Sequence, residues 1–345
     1  MVSESSPIED VLDHCRGVFP EWSPLSINDF EWDDPKGFSS FTMAIWCLRD
    51  VEPSAVLYRR LEGKENAILD FDTEREIFYL LGDNRIAASC LHYDDACRIE
   101  EFYDGRTLTP TDLKDSGVLK GIARELFRFH QLDPDALPDK TFFELLHDKW
   151  VPLARAVLLD EHHVFPPDEQ TMCDELLDIL SDDTAEMVQR SLPHSPVAFC
   201  HNDTYHGNVM LLTSGEIKLL DFEFSCLNHP AFDFANLFAE TVMQHNQPES
   251  PYFTIGEPEY TTSDIATVVG HYLDCGTLTG DARESELNRL VAETKDMIML
   301  SDYMYAMAAI PLAVHPIQKI RFIPYAHARW TRFLASYAKR FDVTE

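Results

Sequence analysis

The chain has 345 residues, 45% of them hydrophobic, which is enough to bury a large core. It carries 60 acidic and 28 basic residues, for a formal net charge of −32. This balance argues against a nucleic-acid or anionic-membrane partner, because binding to either requires a basic surface. The eight cysteines form no C-x-x-C pair, which predicts reduced thiols in a cytoplasmic protein, without a disulfide framework or a zinc site.

No targeting or membrane segment is predicted. The first residues show neither the basic region nor the apolar run of a signal peptide. The longest apolar stretch, residues 306–314, contains Pro311 and is too short to cross a bilayer. We therefore expect no membrane insertion.

The chain begins with a predicted helix followed by a predicted β-hairpin. Residues 1–26 have the pattern of an acidic amphipathic helix with a proline-containing loop after it. Residues 41–48 and 55–60 are short runs rich in apolar and β-branched residues. Their short link predicts that the two strands pair.

A helix and a further strand are predicted next. Residues 72–81 form a helical pattern that places Glu74 on the apolar face, where a carboxylate needs a partner. A strand over 98–103 then precedes the turn signal Asp104-Gly105-Arg106. We take this turn as the hinge between two lobes.

The remainder is predominantly helical, with predicted helices at 117–130 and 142–158 and further helices towards the end. Strands first and helices afterwards predict an α+β fold with two lobes and an active site in the cleft. The expected architecture is protein-kinase-like. A small, β-rich N-terminal lobe spans residues 1–104, and a larger, mostly helical C-terminal lobe spans residues 105–345.

An H-x-D-x-x-x-x-N loop is the most informative pattern in the chain. It is formed by His201, Asp203 and Asn208, and Asp221 follows at the end of a strand predicted over residues 216–220. This spacing is typical of phosphoryl-transfer sites, which need a base and two magnesium ligands. The alternative is a chance match in a polar loop, and the following strand favours the functional interpretation.

Each residue of the pattern has an expected role. Phosphoryl transfer depends mainly on positioning and charge neutralisation. Asp203 is expected to accept the proton of the attacking hydroxyl, and Asn208 and Asp221 supply the hard oxygen donors that Mg²⁺ prefers. His201 is expected to orient the loop through hydrogen bonds.

Three blocks of sequence resemble the choline/ethanolamine kinase family, within the wider aminoglycoside-phosphotransferase group. The blocks are 199–208, 220–225 and 231–240, and they include Asp221-x-Glu223 and Phe232-Asp233-x-x-Asn236. Weaker matches bring the similarity to most of residues 36–341. The D-x-E block followed by F-D-x-x-N distinguishes these small-amine kinases from protein kinases.

The resemblance implies ATP-dependent, Mg²⁺-dependent phosphorylation of a small amino alcohol, ethanolamine or choline. This reaction is the first step of CDP-ethanolamine and CDP-choline phospholipid synthesis. The resemblance places Glu240 near the substrate ammonium. It also places Asp203, Glu223, Phe224, His245, Tyr305 and Ala308 at the substrate site. Ala308 stands where family members commonly have a tryptophan, which shifts the expected preference towards ethanolamine.

The resemblance also implies a nucleotide site. Arg60 resembles the strand cation that meets the phosphates, and Glu74 its partner, with Arg59 and Glu76 as open alternatives. The backbone of Glu101, Phe102 and Tyr103 is expected to pair with adenine. The phosphate loop corresponds to Gly37, Ser39 and Ser40, with one glycine fewer than is usual in the family.

Two other functions are retained, a kinase of another hydroxylated amine such as an aminoglycoside, and a nucleotide-binding pseudokinase. The second would predict loss of Asp203, Asn208 or Asp221, and all three are present. The sequence does not determine the oligomeric state, and a homodimer is one option. Asp233 lies in an apolar run, so we expect it to be buried beneath the loop and bonded to its backbone or to His201.

Overall fold

The structure, a computed structural model, describes residues 7–34, 41–61, 70–135, 137–160, 162–245, 247–258, 260–314 and 320–342. The chain divides into two units. One is formed by the described residues up to Leu61 together with Phe71–Asp104, and the other by Gly105 and the described residues after it.

The first unit contains a five-stranded antiparallel sheet and two helices. The strands are β1 (Phe30–Trp32), β2 (Thr42–Cys47), β3 (Ala55–Arg60), β4 (Cys90–Tyr93) and β5 (Cys97–Glu101), in the order β1-β2-β3-β5-β4, and the helices are α1 (Pro7–Val18) and α2 (Phe71–Asp83). β2 and β3 pair as the predicted hairpin, which is confirmed. The predicted first helix is shorter than expected and ends at Val18, and β4 was not predicted.

The two helices pack on opposite faces of this sheet. Both faces carry side chains, because successive residues of a strand point in opposite directions. Val56, Tyr58 and Ile99 point to one face and join the apolar residues of α1 in a common core. On the other face, the Arg98 guanidinium lies 3.8 Å from the ring centre of Phe78 on α2. Neighbouring residues of one strand therefore face different helices.

The second unit begins with a strand where the sequence predicted a turn. Its strands are β6 (Gly105–Thr107), β7 (Ala198–Cys200), β8 (Val209–Leu212), β9 (Ile217–Leu219), β10 (Cys226–Asn228), β11 (Met243–His245) and β12 (Phe253–Ile255). β6, β8 and β9 form one sheet, and β7 pairs with β10 and β11 with β12. The expected turn was wrong because Gly105 allows close strand pairing, since a Cβ there would lie 2.5 Å from the Leu211 carbonyl oxygen.

Eight helices complete the described part of the second unit. They are α3 (Ser116–His130), α4 (Phe142–Leu158), α5 (Pro167–Leu176), α6 (Asp182–Ser191), α7 (Ala231–Ala239), α8 (Thr262–Leu273), α9 (Gly280–Leu312) and α10 (Phe322–Phe341). α3 and α4 match the predicted helices. α7 is buried along its whole length, and it packs against α9, which also contacts α10. Among the described helices, none is both long enough and apolar enough to span a membrane.

Candidate active site

The H-x-D loop lies between two short strand pairs of the second unit. β7 leads directly into His201, and β8 begins immediately after Asn208. β8 pairs with β9, and beyond this pairing the Leu220 N–H donates to the Asn208 carbonyl at 2.8 Å. This contact brings Asp221, the next residue, to the end of the loop.

Asp203 is held by three donors from three parts of the unit. The Tyr305 hydroxyl donates to its Oδ1 at 2.5 Å, and the Asn236 amide lies 3.4 Å from the same oxygen. The Asn208 amide donates to Oδ2 at 2.8 Å. The carboxylate is 8% exposed, so its orientation is determined by these partners.

The surroundings of Asp203 give its carboxyl group the character of a base near neutral pH. Burial raises the pKa of Asp203 to about 7, and the Asp221 and Glu240 carboxylates act in the same direction. The hydrogen bond from Tyr305 lowers this pKa and opposes part of the effect. A base with such a pKa is matched to proton transfer at physiological pH.

His201 connects the loop to the strand before Asp221. Its Nδ1 accepts the Asp203 N–H at 3.2 Å, so Nε2 carries the proton and donates to the Leu220 carbonyl at 2.8 Å. Burial lowers the pKa of this imidazole, which keeps it neutral. These contacts agree with the orienting role expected from the sequence.

Asp233 lies beneath the loop, as predicted, and this prediction is confirmed. It is fully buried, and its two oxygens accept the His201 N–H at 2.9 Å and the Asn202 N–H at 2.7 Å. The His130 Nε2 is 2.9 Å from the same carboxylate, and the Thr204 hydroxyl donates to the Asp233 carbonyl. His130 was not found from the sequence, because it lies on α3, far away in the chain.

Asn208 and Asp221 offer an amide oxygen and a carboxylate, on residues that the Leu220–Asn208 backbone hydrogen bond brings near each other. The Asn208 amide nitrogen donates to the Asp203 carbonyl at 3.0 Å as well as to its carboxylate, which directs the amide oxygen away from Asp203. Asp221 has a φ of 62°, a left-handed conformation that is rare outside glycine and is tolerated by aspartate. An amide oxygen and a carboxylate form a donor set suited to Mg²⁺.

A buried ion network lies behind Asp203. The Arg329 guanidinium is fully buried and donates to Asp302 at 2.8 Å, to the Tyr325 hydroxyl at 2.9 Å and to the Glu240 carboxylate. Its central carbon lies 4.9 Å from the ring centre of Tyr305. Glu240 is therefore charge-balanced by Arg329, and its direct contact with a substrate ammonium stays a prediction.

Two of the predicted substrate residues, Tyr305 and His245, lie near Arg329, and Ala308 shares a helix face with Tyr305. Tyr305 and Ala308 are one turn apart on α9 and are both partly exposed, on the same helix face. The His245 ring centre is 6.1 Å from that of Tyr325, and burial followed by the charge of Arg329 lowers the His245 pKa. The structure thus brings the predicted α9 and β11 positions together around one arginine.

Phe224 and Glu223 lie in the turn between β9 and β10. The Phe224 ring packs against Trp150 at 5.3 Å and Phe142 at 6.4 Å, both on α4. The Phe224 side chain therefore belongs to an aromatic cluster on α4. Its carbonyl accepts the Asn202 side-chain amide at 2.9 Å, which ties this turn to the loop.

Tyr205 is a site residue that the sequence prediction missed. Its ring lies over Gly207, where a Cβ would be only 2.3 Å from it. Burial raises the pKa of the Tyr205 phenol, and the Asp203, Asp221 and Glu240 carboxylates add to this effect, so the ring is close to all three. The available signal was an aromatic residue two positions after the base.

The first unit contains a second ion network around Glu74. Glu74 is partly buried whereas Glu76 is exposed, which agrees with the preference for Glu74. Its carboxylate lies 3.4 Å from Arg98, which also bonds Glu100 at 2.7 Å. Arg98 on β5 is thus one partner of Glu74, and the predicted pairing of Glu74 with Arg60 stays a prediction.

The alternation of strand residues places the two adjacent arginines on different faces of the sheet. Arg59 lies directly opposite Arg98 in the strand register, on the face that carries α2. Arg60 has the parity of Tyr58 and points to the α1 face, where its guanidinium stacks 4.5 Å from the Phe41 ring centre. Arg59, the open alternative, therefore shares a face with Glu74.

The remaining predictions for the nucleotide site concern the phosphate loop and the backbone expected to pair with adenine. Gly37, Ser39 and Ser40 lie outside the described residues. The Glu101 N–H donates to the Ser89 carbonyl at 3.0 Å, so this amide is already used within the sheet. The Phe102 ring lies 5.2 Å from that of Trp46, and the chain leaves the sheet before Tyr103. Adenine pairing along this segment stays a prediction.

Known proteins share this architecture. A family model described as choline/ethanolamine kinase matches residues 38–334. Choline kinase A2 of Caenorhabditis elegans is 25% identical over 289 residues, 74% of this chain and 67% of that protein. A probable ethanolamine kinase of Arabidopsis thaliana is 27% identical over 240 residues, 68% of this chain and 62% of that protein. The crystal structure of choline kinase from Cryptosporidium parvum superposes with a TM-score of 0.77 at 19% identity, covering 97% and 96% of the two chains.

The fold is that of the protein-kinase-like phosphotransferases, as the similarity to the Cryptosporidium structure shows. The predicted fold class is therefore confirmed. The family model covers most of the sequence, and the chain belongs to the choline/ethanolamine kinase family. This is a family of ATP-using alcohol phosphotransferases, and the predicted resemblance is confirmed.

Proposed function

We propose that this protein transfers the γ-phosphoryl group of ATP to the hydroxyl of ethanolamine or choline. The observation that supports this most directly is the buried Asp203 carboxylate, held by Tyr305 and Asn208 and raised in pKa to about 7. Such a group can accept a hydroxyl proton at neutral pH. The choline and ethanolamine kinases among the relatives support the choice of alcohol.

The proposed transfer replaces one phosphorus–oxygen bond by another. As the substrate oxygen forms its bond to the γ-phosphorus, the bond from that phosphorus to the β-phosphate oxygen breaks, and ADP leaves. The hydroxyl proton passes to an oxygen of Asp203 and then to solvent. Tyr305 and Asn208 keep the carboxylate oriented, so that little reorganisation is needed during the transfer.

Magnesium fits the donors of this site. We propose Asn208 and Asp221 as its protein ligands, because both residues lie close to Asp203 and carry oxygens of the type that Mg²⁺ prefers. The negative charge of Asp221 raises the pKa of Asp203, and a cation would relieve this repulsion. When bound, magnesium neutralises the charge of the nucleotide phosphates.

We propose Arg59 as the residue of the first unit that meets the nucleotide phosphates, in place of Arg60. Its support is the shared sheet face with Glu74 and Arg98. Arg59→Ala should raise the KM for ATP by roughly tenfold or more, as expected for loss of a charge-assisted contact of about 1.5–3 kcal/mol. Arg60→Ala is the matched control and should change this KM little, so the opposite order would restore the first assignment.

The charge balance suggests how the amine is recognised. The two carboxylates Glu240 and Asp302 are matched by Arg329 and Arg332, whereas no arginine of the described residues pairs with Asp203. An ammonium with N–H donors needs such acceptors, whereas a trimethylammonium depends on aromatic faces. The small Ala308 position therefore supports a preference for ethanolamine.

A coupled ADP-release assay tests the proposal with ethanolamine, choline, methylated ethanolamines and an aminoglycoside as acceptors. We expect turnover with ethanolamine to exceed turnover with choline. Activity confined to the aminoglycoside would support the alternative amine kinase. Nucleotide binding without turnover of any acceptor would identify a pseudokinase.

We also propose a cytoplasmic location, supported by eight free cysteines, five of them buried. A homodimer stays a prediction, and sedimentation velocity over a range of protein concentrations measures it.

A further inference from the structure

Four potential metal ligands meet in the first unit, remote in sequence from the H-x-D loop. They are His14 on α1, His92 on β4, Asp94 in the β4–β5 turn and Cys97 on β5. One ligand atom of each lies within 4.8 Å of those of the other three. Cys97 is buried and the others are partly buried, so the cluster lies at the margin of the α1 core.

The distances within the cluster resemble the edges of a small tetrahedron. The Asp94 Oδ2 lies 3.1 Å from the His14 Nε2 and 2.9 Å from the His92 Nε2. The Cys97 Sγ lies 3.6 Å from the same His14 nitrogen. Bond lengths of about 2.0 Å to nitrogen or oxygen and about 2.3 Å to sulfur give tetrahedral edges of about 3.3–3.6 Å. For these three pairs, movements of a few tenths of an ångström would give the ligand spacings of a zinc site.

The surrounding contacts orient these side chains. The Asp94 Oδ1 accepts the N–H groups of Ala96 and Cys97, both at 2.8 Å, which turns Oδ2 towards the histidines. The Tyr58 hydroxyl is 3.5 Å from the His14 Nδ1, so a proton on Nδ1 leaves the Nε2 lone pair for a metal. Metal-binding histidines usually have such an outer hydrogen bond on the second ring nitrogen.

The charge of the cluster also suits a divalent cation. Two neutral imidazoles, one carboxylate and one thiolate carry two negative charges, which a divalent ion neutralises. Sulfur with imidazole selects zinc over the harder magnesium ion.

We propose that His14, His92, Asp94 and Cys97 bind one zinc ion, which fixes α1 to the β4–β5 hairpin. With four protein ligands, the site has the closed coordination of a structural zinc site. Cys97 points to the α1 face of the sheet, whereas its neighbour Arg98 contacts α2 on the opposite face. The site is thus independent of Asn208 and Asp221, which offer oxygen only.

Metal content and cobalt spectroscopy of the full-length protein test this proposal. After purification without a histidine tag, we expect about one zinc per chain by mass spectrometry. Co²⁺ added to the chelator-treated protein should give the visible bands of a tetrahedral site and a thiolate-to-metal charge-transfer band. Cys97→Ser should abolish the charge-transfer band and weaken zinc binding by more than the roughly 10- to 100-fold cost of losing an outer partner.

Two control variants distinguish zinc binding at this site from metal binding elsewhere in the protein. Cys275→Ser removes an exposed cysteine of the second unit, and Asp221→Ala alters the proposed magnesium site. Both should retain zinc and the cobalt spectrum. The proposal is overturned if the wild type binds neither metal at micromolar concentration, or if Cys97→Ser keeps the charge-transfer band. The wild-type spectrum decides the question even if Cys97→Ser does not fold.

Discussion

Replacing the base by its neutral isostere should have opposite effects on activity and on stability. Asp203→Asn removes the proton acceptor and should lower kcat by roughly 10²- to 10⁴-fold. The same change removes a carboxylate whose ionisation in the folded state is opposed by burial. In magnesium-free buffer at pH 8, the variant should therefore unfold at a higher urea concentration than the wild type.

The pKa shift of Asp203 and its hydrogen bond from Asn208 determine the size of the expected stability gain. The Asp203 pKa rises from 3.8 to about 7, about three units, and each unit corresponds to about 1.4 kcal/mol, or about 4 kcal/mol in total. Against this, the new amide turns its N–H donors towards the Asn208 amide nitrogen, which now donates to Oδ2. An unmatched buried donor costs about 1–3 kcal/mol, which leaves a net gain of about 1–3 kcal/mol.

The raised pKa of Asp203 determines how the stability of the wild type changes with pH. Because the folded pKa lies above the unfolded one, the wild type loses stability as the pH rises from about 4 through about 7. The difference between variant and wild type should be near zero at pH 5 and fully developed at pH 8. Asp148→Asn, which removes an exposed partner of Lys140, is the control and should change stability by less than about 1 kcal/mol.

Urea unfolding at both pH values, with kcat measured by ADP release, completes the test. If the variant is less stable than the wild type at pH 8, burial does not oppose the ionisation of Asp203 as proposed. A variant that keeps more than about a third of the wild-type kcat would remove Asp203 from the role of base.

Three further predictions concern the supporting groups. Asp233→Asn keeps the side-chain volume but offers one acceptor to two backbone N–H groups, and should cost about 3–5 kcal/mol in urea unfolding. Asp221→Ala should abolish turnover and weaken Mg-ATP binding, whereas Asn208→Ala should raise the magnesium concentration needed for half-maximal activity. Ala308→Trp should raise kcat/KM for choline relative to ethanolamine by up to about tenfold. Ala335→Trp, on the exposed side of α10, should leave this ratio unchanged.

Distinct outcomes would contradict each of them. A loss below about 1 kcal/mol for Asp233→Asn would mean that the loop does not depend on this carboxylate. Wild-type magnesium titrations for both metal-site variants would reject the proposed ligands. If the wild type prefers choline by about tenfold and Ala308→Trp does not alter the ratio, another aromatic ring completes the amine site. Tyr205 is then the first ring to test.

The position of the H-x-D loop and the burial of Asp233 beneath it were predictable because the signals are local. The spacing of His201, Asp203 and Asn208 is short, and a carboxylate in an apolar run such as Asp233 must find buried donors. The sequence alone did not show which of two adjacent arginines points towards Glu74. Arg59 and Arg60 differ only in the direction of their side chains, and the strand register that decides it depends on pairing with β5.

The sequence predicted no zinc site, and the site proposed above corresponds to no spacing pattern in the sequence. His14 is separated from His92 by most of the first unit, and no C-x-x-C pair marks the cluster. Only the packing of α1 against the β4–β5 hairpin brings the four side chains together. Likewise, His130 reaches Asp233 across the second unit, so no local pattern could indicate that contact.

The position of Arg329 has a consequence for how the protein is made. Its side chain, on α10, joins Glu240 and Asp302 and stacks on Tyr305, the residue that donates to the base. During synthesis the H-x-D loop leaves the ribosome long before this helix does. A nascent chain that already contains the base, the metal ligands and their strands thus lacks the cation that balances the carboxylates behind them. We expect phosphoryl transfer to begin only after α10 has docked.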